Sequence, residues 1–251
     1  FEATFYNYPK IEASTLLYAC KFISREGSSW VGTLPPQYGS MTNTNDYPVM
    51  RYSEVLLNWI EAKAELETLG GTAVTQADIS ISINAIRNRP LDNEAIALGV
   101  QQTAAMDLAL INDSFDPARD SDVPALIWEI RRERRMEFVY EHTRLADIRR
   151  WKKLEYMDNN KYPDTMLGLW IDIANELPTY LVTTTRVMKA DGTIVTYNGS
   201  NASDMVGFYI PTNANARDLF GDFNYLAPVG KAQIEQYADA GYTLTQTAGW
   251  F

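Results

Sequence analysis

Apolar residues between residues 125 and 151 recur at steps of three and four, a spacing typical of a helix that packs one side on a core. The segment contains no glycine or proline, and Pro124 precedes it where a proline suits the first helical turn. The stripe that should face the core consists of Ile127, Ile130, Arg134, Phe138, Glu141, Leu145 and Ile148. The pattern predicts one long helix, or two helices that meet near His142.

Charged residues interrupt this apolar stripe. Acids and arginines recur three or four residues apart along the helix, and the set comprises Glu133, Arg134, Glu137, Glu141, Arg144 and Asp147. Such a set is either a cluster of catalytic carboxylates or a structural network, because buried charges are tolerated when they are paired and hydrogen-bonded. Pairing with arginine lowers the pKa of a carboxyl group, whereas a general acid needs a raised pKa. The sequence therefore favours the structural network.

Two further helical patterns lie upstream and together predict a helical hairpin. Residues 49–69 form the first, which ends at Gly70-Gly71 and has apolar positions at Val55, Leu56, Trp59, Ile60 and Ala62. The second runs from about residue 76 to before Pro90, and its apolar face consists of Ile79, Ile83 and Ile86. The hairpin resembles one tetratricopeptide-type unit. One such unit cannot bury its own face, so we expect it to pack on the 125–151 helix or on sequence outside this chain.

The remaining sequence predicts extended segments and loops around a mainly α fold. Residues 16–23 suit a strand or extended segment, and β-rich flanks around Asp191-Gly192 predict a small β-hairpin. We predict three parts of one domain: an extended segment with an aromatic loop over 1–48, a helical core over 49–158, and an irregular region with the hairpin over 159–251.

Composition excludes several functions. The chain has 22 Lys and Arg against 32 Asp and Glu, and its net charge is −10. This acidic balance argues against nucleic acid and anionic lipid, which both bind through Lys and Arg. A single cysteine, Cys20, excludes an internal disulfide framework and suits a buried, inert thiol, and one histidine gives no basis for a His-based triad or metal site. No apolar run reaches the 18 residues of a membrane span, and we expect no metal or cofactor.

Three stretches carry a resemblance to a known family. ERRMEFVYEHTRLADIRRW, residues 133–151, resembles the hallmark helix of the SusD/RagB family, whose members are outer-membrane nutrient-binding lipoproteins of Bacteroidetes. The family pattern falls on Glu133, Arg134, Arg135, Glu137, Glu141, Arg144, Asp147, Arg150 and Trp151, and His142 stands where the family usually has glycine. A second match covers Arg51, Glu54, Glu61 and Ala62. A third, near the end of the chain, covers Tyr225, Leu226, Pro228, Ile234, Gln246, Gly249 and Trp250.

The resemblance implies a SusD-like domain at the extracellular face of the outer membrane. It implies a protein that captures a glycan, or less often a peptide, and delivers it to a TonB-dependent transporter of the SusC type. Membrane attachment would come only from an N-terminal lipid anchor that this chain lacks, and the resemblance implies that an N-terminal half lies outside the chain. It also implies that Arg51 and Glu54 join the charged network of the 125–151 segment.

Three functions compete at this stage. A nutrient-binding module fits the resemblance and the aromatic content, because sugars present apolar C–H faces that stack on aromatic rings. A glycoside hydrolase would need paired carboxylates free of arginine, and a helical scaffold would bind only protein. For the binding module, the candidate ligand residues are Trp30 and Tyr38 in a loop, followed by Trp170 and Tyr180, whose stretch equally fits a short core helix. Trp59 and Trp128 are expected in the core.

Overall fold

The computed structural model of the chain describes residues 9–11, 13–19, 21–23, 31–39, 41–97, 99–213 and 221–250. The described residues belong to two compact units, the first within Ala19–Glu141 and the second within Tyr8–Tyr18 and His142–Phe251. Cys20 and Trp30 lie outside the described residues, so the buried thiol and the ligand-binding tryptophan stay predictions. The three-part division of the chain also stays a prediction.

The first unit is helical. Its helices are α1 (Tyr52–Thr68), α2 (Gln76–Ile81), α3 (Ile83–Arg87), α4 (Asn93–Ala97) and α5 (Ala125–Glu137), with single 3-10 turns at Pro36–Tyr38 and Leu108–Leu110. The predicted first helix of the hairpin is confirmed as α1. The predicted second helix is interrupted at Ser82, whose backbone (φ −116°, ψ −88°) is not helical, and so forms α2 and α3. The tetratricopeptide-type packing stays a prediction.

The core of the first unit lies between α1, the α2–α3 pair and α5. From α2 and α3 it takes Ile79, Ile83 and Ile86, as predicted, and from α5 it takes Ile127 and Ile130. Trp128 packs against this core while its Nε1 donates a hydrogen bond to Asp116 at 2.7 Å. The expectation that Trp128 packs on the core is therefore confirmed, although Trp128 lies at the edge of the core and is only partly buried.

The buried face of α1 differs from the predicted one. Leu57, Ile60 and Ala64 enter the core, whereas Val55 and Trp59 are exposed, and Trp59 keeps 41% of its surface in solvent. The expectation that Trp59 is a core residue is wrong. Because α1 carries apolar residues on two sides, its spacing alone does not select the side that is buried.

The segment 125–151 forms two helices, so a single long helix is wrong and the joint near His142 is confirmed. Helix α5 ends at Glu137, and α6 begins at Thr143 and ends at Arg150. Between them, Tyr140 adopts a left-handed backbone (φ 59°), which no helix interior accommodates. Leu145 was expected in the buried stripe and is instead exposed.

The second unit contains a small antiparallel sheet with the order β1-β4-β2-β3. Its elements are α6 (Thr143–Arg150), β1 (Trp170–Asp172), α7 (Ile173–Glu176), β2 (Arg186–Met188), β3 (Ile194–Thr196), β4 (Val206–Ile210) and α8 (Lys231–Asp239), with 3-10 turns at Leu154–Met157, Pro163–Met166, Pro178–Tyr180, Ala202–Asp204 and Asp222–Tyr225. The predicted hairpin is confirmed as β2–β3, where Gly192 has a φ of 85° and Asp191 accepts a hydrogen bond from the Thr193 amide. The sequence predicted only this hairpin, whereas the structure shows that β2 and β3 are two of the four strands of a sheet.

Alternation along the strands gives this sheet an inner and an outer face. The inner face carries Ile171, Val187 and Tyr209, which pack in a second core with Leu16 and Met205. Residues 16–23 were expected to form a strand or extended segment. Their described residues form no strand, because Leu16 and Phe22 have φ values of 62° and 63°, although Ala19 makes an isolated β-bridge. The structure thus agrees with a mainly helical class that includes a small antiparallel sheet.

Candidate functional site

Arg51, at the residue before α1, is the centre of the charged network in the first unit. Its Nη1 lies 2.6 Å from Glu137 Oε1, and its Nη2 lies 2.6 Å from Glu141 Oε1. The rings of Phe22 and Phe138 lie 5.6 and 5.5 Å from its guanidinium carbon. One guanidinium therefore binds two carboxylates while aromatic rings exclude water from it.

A second cation binds each of these carboxylates. Arg89 Nη2 lies 2.5 Å from Glu137 Oε2, and Lys21 Nζ lies 2.5 Å from Glu141 Oε1. Lys21 also donates to the backbone oxygen of Glu137 at 2.7 Å. Only 9% and 5% of the Glu137 and Glu141 side chains are exposed. The network therefore ties the segment before α1 and the residues after α3 to the C-terminal end of α5.

Ion pairing sets the pKa values of these two glutamates. Burial alone would raise the pKa of Glu137, but hydrogen bonds from Arg89 and Arg51 outweigh it and lower that pKa. Burial acts the same way on Glu141, and bonds from Arg51 and Lys21 again lower the pKa. Burial would lower the pKa of Arg51, yet its bonds to both carboxylates raise it. Both glutamates therefore stay ionised at neutral pH, which does not suit a general acid.

Other predicted members of the network have partners within the first unit. Glu133 Oε2 lies 2.6 Å from Arg87 Nη2. Arg134 donates a hydrogen bond to Asn58 Oδ1 at 2.6 Å, and its Nε lies 3.4 Å from Glu61 Oε2. These contacts join α5 to α3 and α1. These pairs run between helices, whereas the sequence predicted pairing along one helix.

Three predicted network residues make no described contact with Arg51, and two of them belong to the second unit. In the second unit, Asp147 Oδ1 lies 2.9 Å from Arg150 Nη2, and the Arg144 guanidinium carbon lies 5.8 Å from the centre of the Trp151 ring. In the first unit, Glu54 is half-buried at the start of α1 and has no ion-pair partner among the residues that the structure describes. The structure thus brings Arg51, but not Glu54, to the glutamates of α5.

Trp170 lies on the outer face of the sheet in the second unit. It is the first residue of β1, it pairs across the strands with Phe208 of β4, and it is 43% exposed. The two rings meet edge to face, with centroids 4.9 Å apart and planes at 85°. Phe208 is itself 37% exposed. An aromatic pair that stays open to solvent is the kind of surface on which an apolar ligand face stacks.

Tyr180 lies on the opposite side of the same sheet. Its ring contacts that of Tyr209 on the inner face, with centroids 5.9 Å apart. Burial and a hydrogen bond with Tyr180 raise the pKa of Tyr209 to about 12. Because Trp170 points outward and Tyr180 packs against an inward ring, the sheet does not bring these two candidates together.

One of the two loop candidates, Tyr38, is described and belongs to the first unit. Tyr38 closes the 3-10 turn Pro36–Tyr38 and is half-buried, and Trp30 lies outside the described residues. Sequence reasoning missed Phe208, which the structure places beside Trp170. The available signal was the alternation of inward and outward residues along Val206–Ile210. This signal is weak, because the strand has only five residues and its last two are both buried.

Two kinds of feature are absent from the described parts of the chain. None of the described helices has both the length and the apolar character needed to cross a membrane. The described side chains also form no cluster of three or more His, Cys, Asp or Glu that could bind a metal ion.

The fold and its surfaces define a mainly helical protein in which charged groups hold helices together and an aromatic pair lies open on a small sheet. Residues 7–250, nearly the whole chain, match the model of one protein family, described as the SusD family, and the chain belongs to that family. The family is known for nutrient binding at the cell surface. Comparisons with curated proteins and with solved structures found no match.

Proposed function

We propose that this protein captures a glycan at the extracellular face of the outer membrane and delivers it to a SusC-type TonB-dependent transporter, without catalysing a reaction. Family membership supports the general role in nutrient binding. The observation that carries the glycan assignment is the open aromatic pair of Trp170 and Phe208 on the sheet of the second unit. The proposal includes attachment to the membrane through a lipid anchor.

A sugar ring fits this pair because one of its faces presents C–H groups and its rim presents hydroxyls. Polar side chains flank the pair on the same face of the sheet: Asp172 follows Trp170 by two residues, and Arg186 and Thr196 lie in the next cross-strand row. Stacking on the rings combined with hydrogen bonds at the edge is the chemistry that holds a sugar.

The charged network supports a role in binding rather than in hydrolysis. A glycoside hydrolase needs one carboxyl group with a raised pKa, whereas arginine and lysine lower the pKa values of Glu137 and Glu141. Trp30, Tyr38 and Tyr180 stay predictions as further ligand residues. A peptide-binding role remains the second candidate and rests on the family resemblance alone.

The test is a glycan array followed by isothermal titration of the best oligosaccharide. Trp170→Ala should weaken binding by about ten-fold, since losing a stacking ring costs about 1–2 kcal/mol. Trp59→Ala is the matched control, because Trp59 is 41% exposed and Trp170 is 43% exposed, and Trp59 lies on α1. It should bind like the wild type.

Thermal melts of both variants separate binding from folding. Lost affinity with an unchanged melting temperature in Trp170→Ala supports the proposal. Equal affinities of Trp170→Ala and wild type would remove Trp170 from the site, and hydrolysis of any bound glycan would overturn the non-catalytic role. Binding of peptides but no glycan would favour the peptide alternative.

A further inference from the structure

A row of apolar side chains crosses all four strands on the outer face of the sheet. Trp170 of β1 pairs with Phe208 of β4, Phe208 pairs with Met188 of β2, and Met188 pairs with Ile194 of β3. Ile194 is 56% exposed, and Met188 is half-buried. With strands about 4.8 Å apart, four strands extend the row over about 14 Å, well beyond the aromatic pair.

Arg186 lies beside this row. It precedes Met188 by two residues on β2, so both side chains lie on the outer face. Its cross-strand partner on β4 is Ile210, which makes Phe208 its diagonal neighbour. Diagonal neighbours in an antiparallel sheet are about 7–8 Å apart, a distance that an arginine side chain spans. The guanidinium can therefore reach a group on a ligand that rests on Phe208.

Arg186 has no ionic partner among the described residues, unlike several other half-buried arginines. Arg51, Arg87 and Arg131 are half-buried, and each lies within 3.3 Å of a glutamate oxygen. Arg186 is also half-buried, yet within the described parts of the chain no ion pair or hydrogen bond is made by its guanidinium.

The lack of an ionic partner for Arg186 is unexpected in a chain with an excess of acidic residues. Asp and Glu number 32 against 22 Lys and Arg, so acidic partners are abundant in the chain. A half-buried guanidinium gains most from a bidentate anion, such as a carboxylate or a sulfate.

We infer that the glycan captured here is anionic: a sugar ring stacks on Trp170 and Phe208 while its carboxylate or sulfate binds Arg186. This inference rests on the proposed function and adds the ligand class. The net charge of −10 repels a polyanion at long range, so the contact with Arg186 is a local one. Uronic acids and sulfate esters both supply the required anion.

The test uses pairs of ligands that differ in charge and share the same rings. Trigalacturonic acid is compared with its methyl ester, and a sulfated chondroitin tetrasaccharide with its desulfated form. The wild type should bind the charged member of at least one pair about ten-fold or more tightly, because hydrogen bonds between ionised groups are the strong ones. Which pair discriminates identifies the anion as a carboxylate or a sulfate.

Variants then connect the preference to Arg186. Arg186→Gln should reduce the ratio between charged and neutral ligands to about one, whereas Arg186→Lys should keep part of it. Arg135→Gln is the control, because Arg135 is exposed on α5 in the first unit and its loss changes the net charge by the same amount. Arg135→Gln should leave the ratio unchanged, and thermal melts should show all three variants folded.

Several outcomes overturn the inference. These are equal affinities for charged and neutral ligands in the wild type, equal shifts in Arg186→Gln and Arg135→Gln, no binding of either charged ligand, or tighter binding of a capped triglutamate peptide. If neutral glycans bind and Trp170→Ala weakens them, the proposed function stands and only the anionic ligand class fails. If no glycan binds, both fail.

Discussion

At the scale of single residues, Arg51 has the largest structural role among the charged groups of the first unit. Its guanidinium reaches Glu137 and Glu141 at the same time, and each of these carboxylates has a second cation of its own. Removing one member of such a set leaves a buried charge that is no longer fully paired. The resulting loss of folding free energy is larger than the stability that the intact pair contributes.

We therefore expect Glu141→Ala to lower the free energy of unfolding by about 3 kcal/mol or more, the scale for a broken buried pair. The loss leaves Lys21 with no carboxylate and Arg51 with one. Urea unfolding measures the change. Glu54→Ala, from the family motif that contains Arg51, is the control, and it should change stability by less than about 1 kcal/mol because Glu54 has no described ion-pair partner. Equal effects of the two substitutions would contradict the prediction.

The sequence predicted these residues but only part of their pairing. The spacing of Glu137 and Glu141 marked them as charged positions in an apolar stripe. Their partners Lys21 and Arg89 lie 120 and 48 residues away in sequence, and helical spacing carries no information on such contacts. Arg51 was reached through the family resemblance alone.

At the scale of elements, the break between α5 and α6 depends on one residue. Tyr140 has a φ of 59°, and a residue with a Cβ is strained in that conformation. The family pattern usually has glycine at position 142, yet His142 has a φ of −78° and so needs no glycine here. The left-handed residue of this joint is therefore Tyr140, two positions before His142.

Two substitutions at this position separate backbone strain from side-chain contacts. Tyr140→Ala and Tyr140→Gly both remove the ring, but only glycine adopts a positive φ without strain. We expect the glycine variant to be more stable than the alanine variant by about 1 kcal/mol, as measured by chemical unfolding. A glycine variant no more stable than the alanine variant would show that residues 138–142 relax to another conformation.

The sheet was the least predictable element. Strands β1, β2 and β3 have three residues each, too few for an alternating pattern to stand out from chance. Only the turn at Asp191-Gly192 gave a signal, and it identified the hairpin. The pairing of β4 with both β1 and β2, which creates the outer face with Trp170, depends on contacts between distant residues.

At the scale of the whole molecule, the acidic balance and the network act together on stability in acid. The pKa values of Glu137 and Glu141 are lower in the folded state than in the unfolded chain. Their contribution is therefore complete above the unfolded pKa of about 4.3 and is lost as the pH falls through the lower folded values.

We expect the melting temperature to be nearly constant between about pH 7 and pH 5 and to fall steeply below about pH 4. Differential scanning calorimetry over this range tests the expectation. Glu141→Gln has no carboxylate that takes up a proton at this position, so its melting temperature should start lower and fall less in acid. An identical slope for the variant and the wild type would assign acid unfolding to other carboxylates.

The two faces of the sheet have a consequence for how the protein can evolve. Along β4, Tyr209 faces the core while Phe208 faces solvent, and the same alternation separates Ile171 from Trp170 on β1. Mutations at the outward positions alter the proposed binding surface, while the inward neighbours continue to maintain the fold. Related proteins with this sheet can therefore evolve different ligand preferences through substitutions at every second residue of a few short strands, and such substitutions change the stability of the fold little.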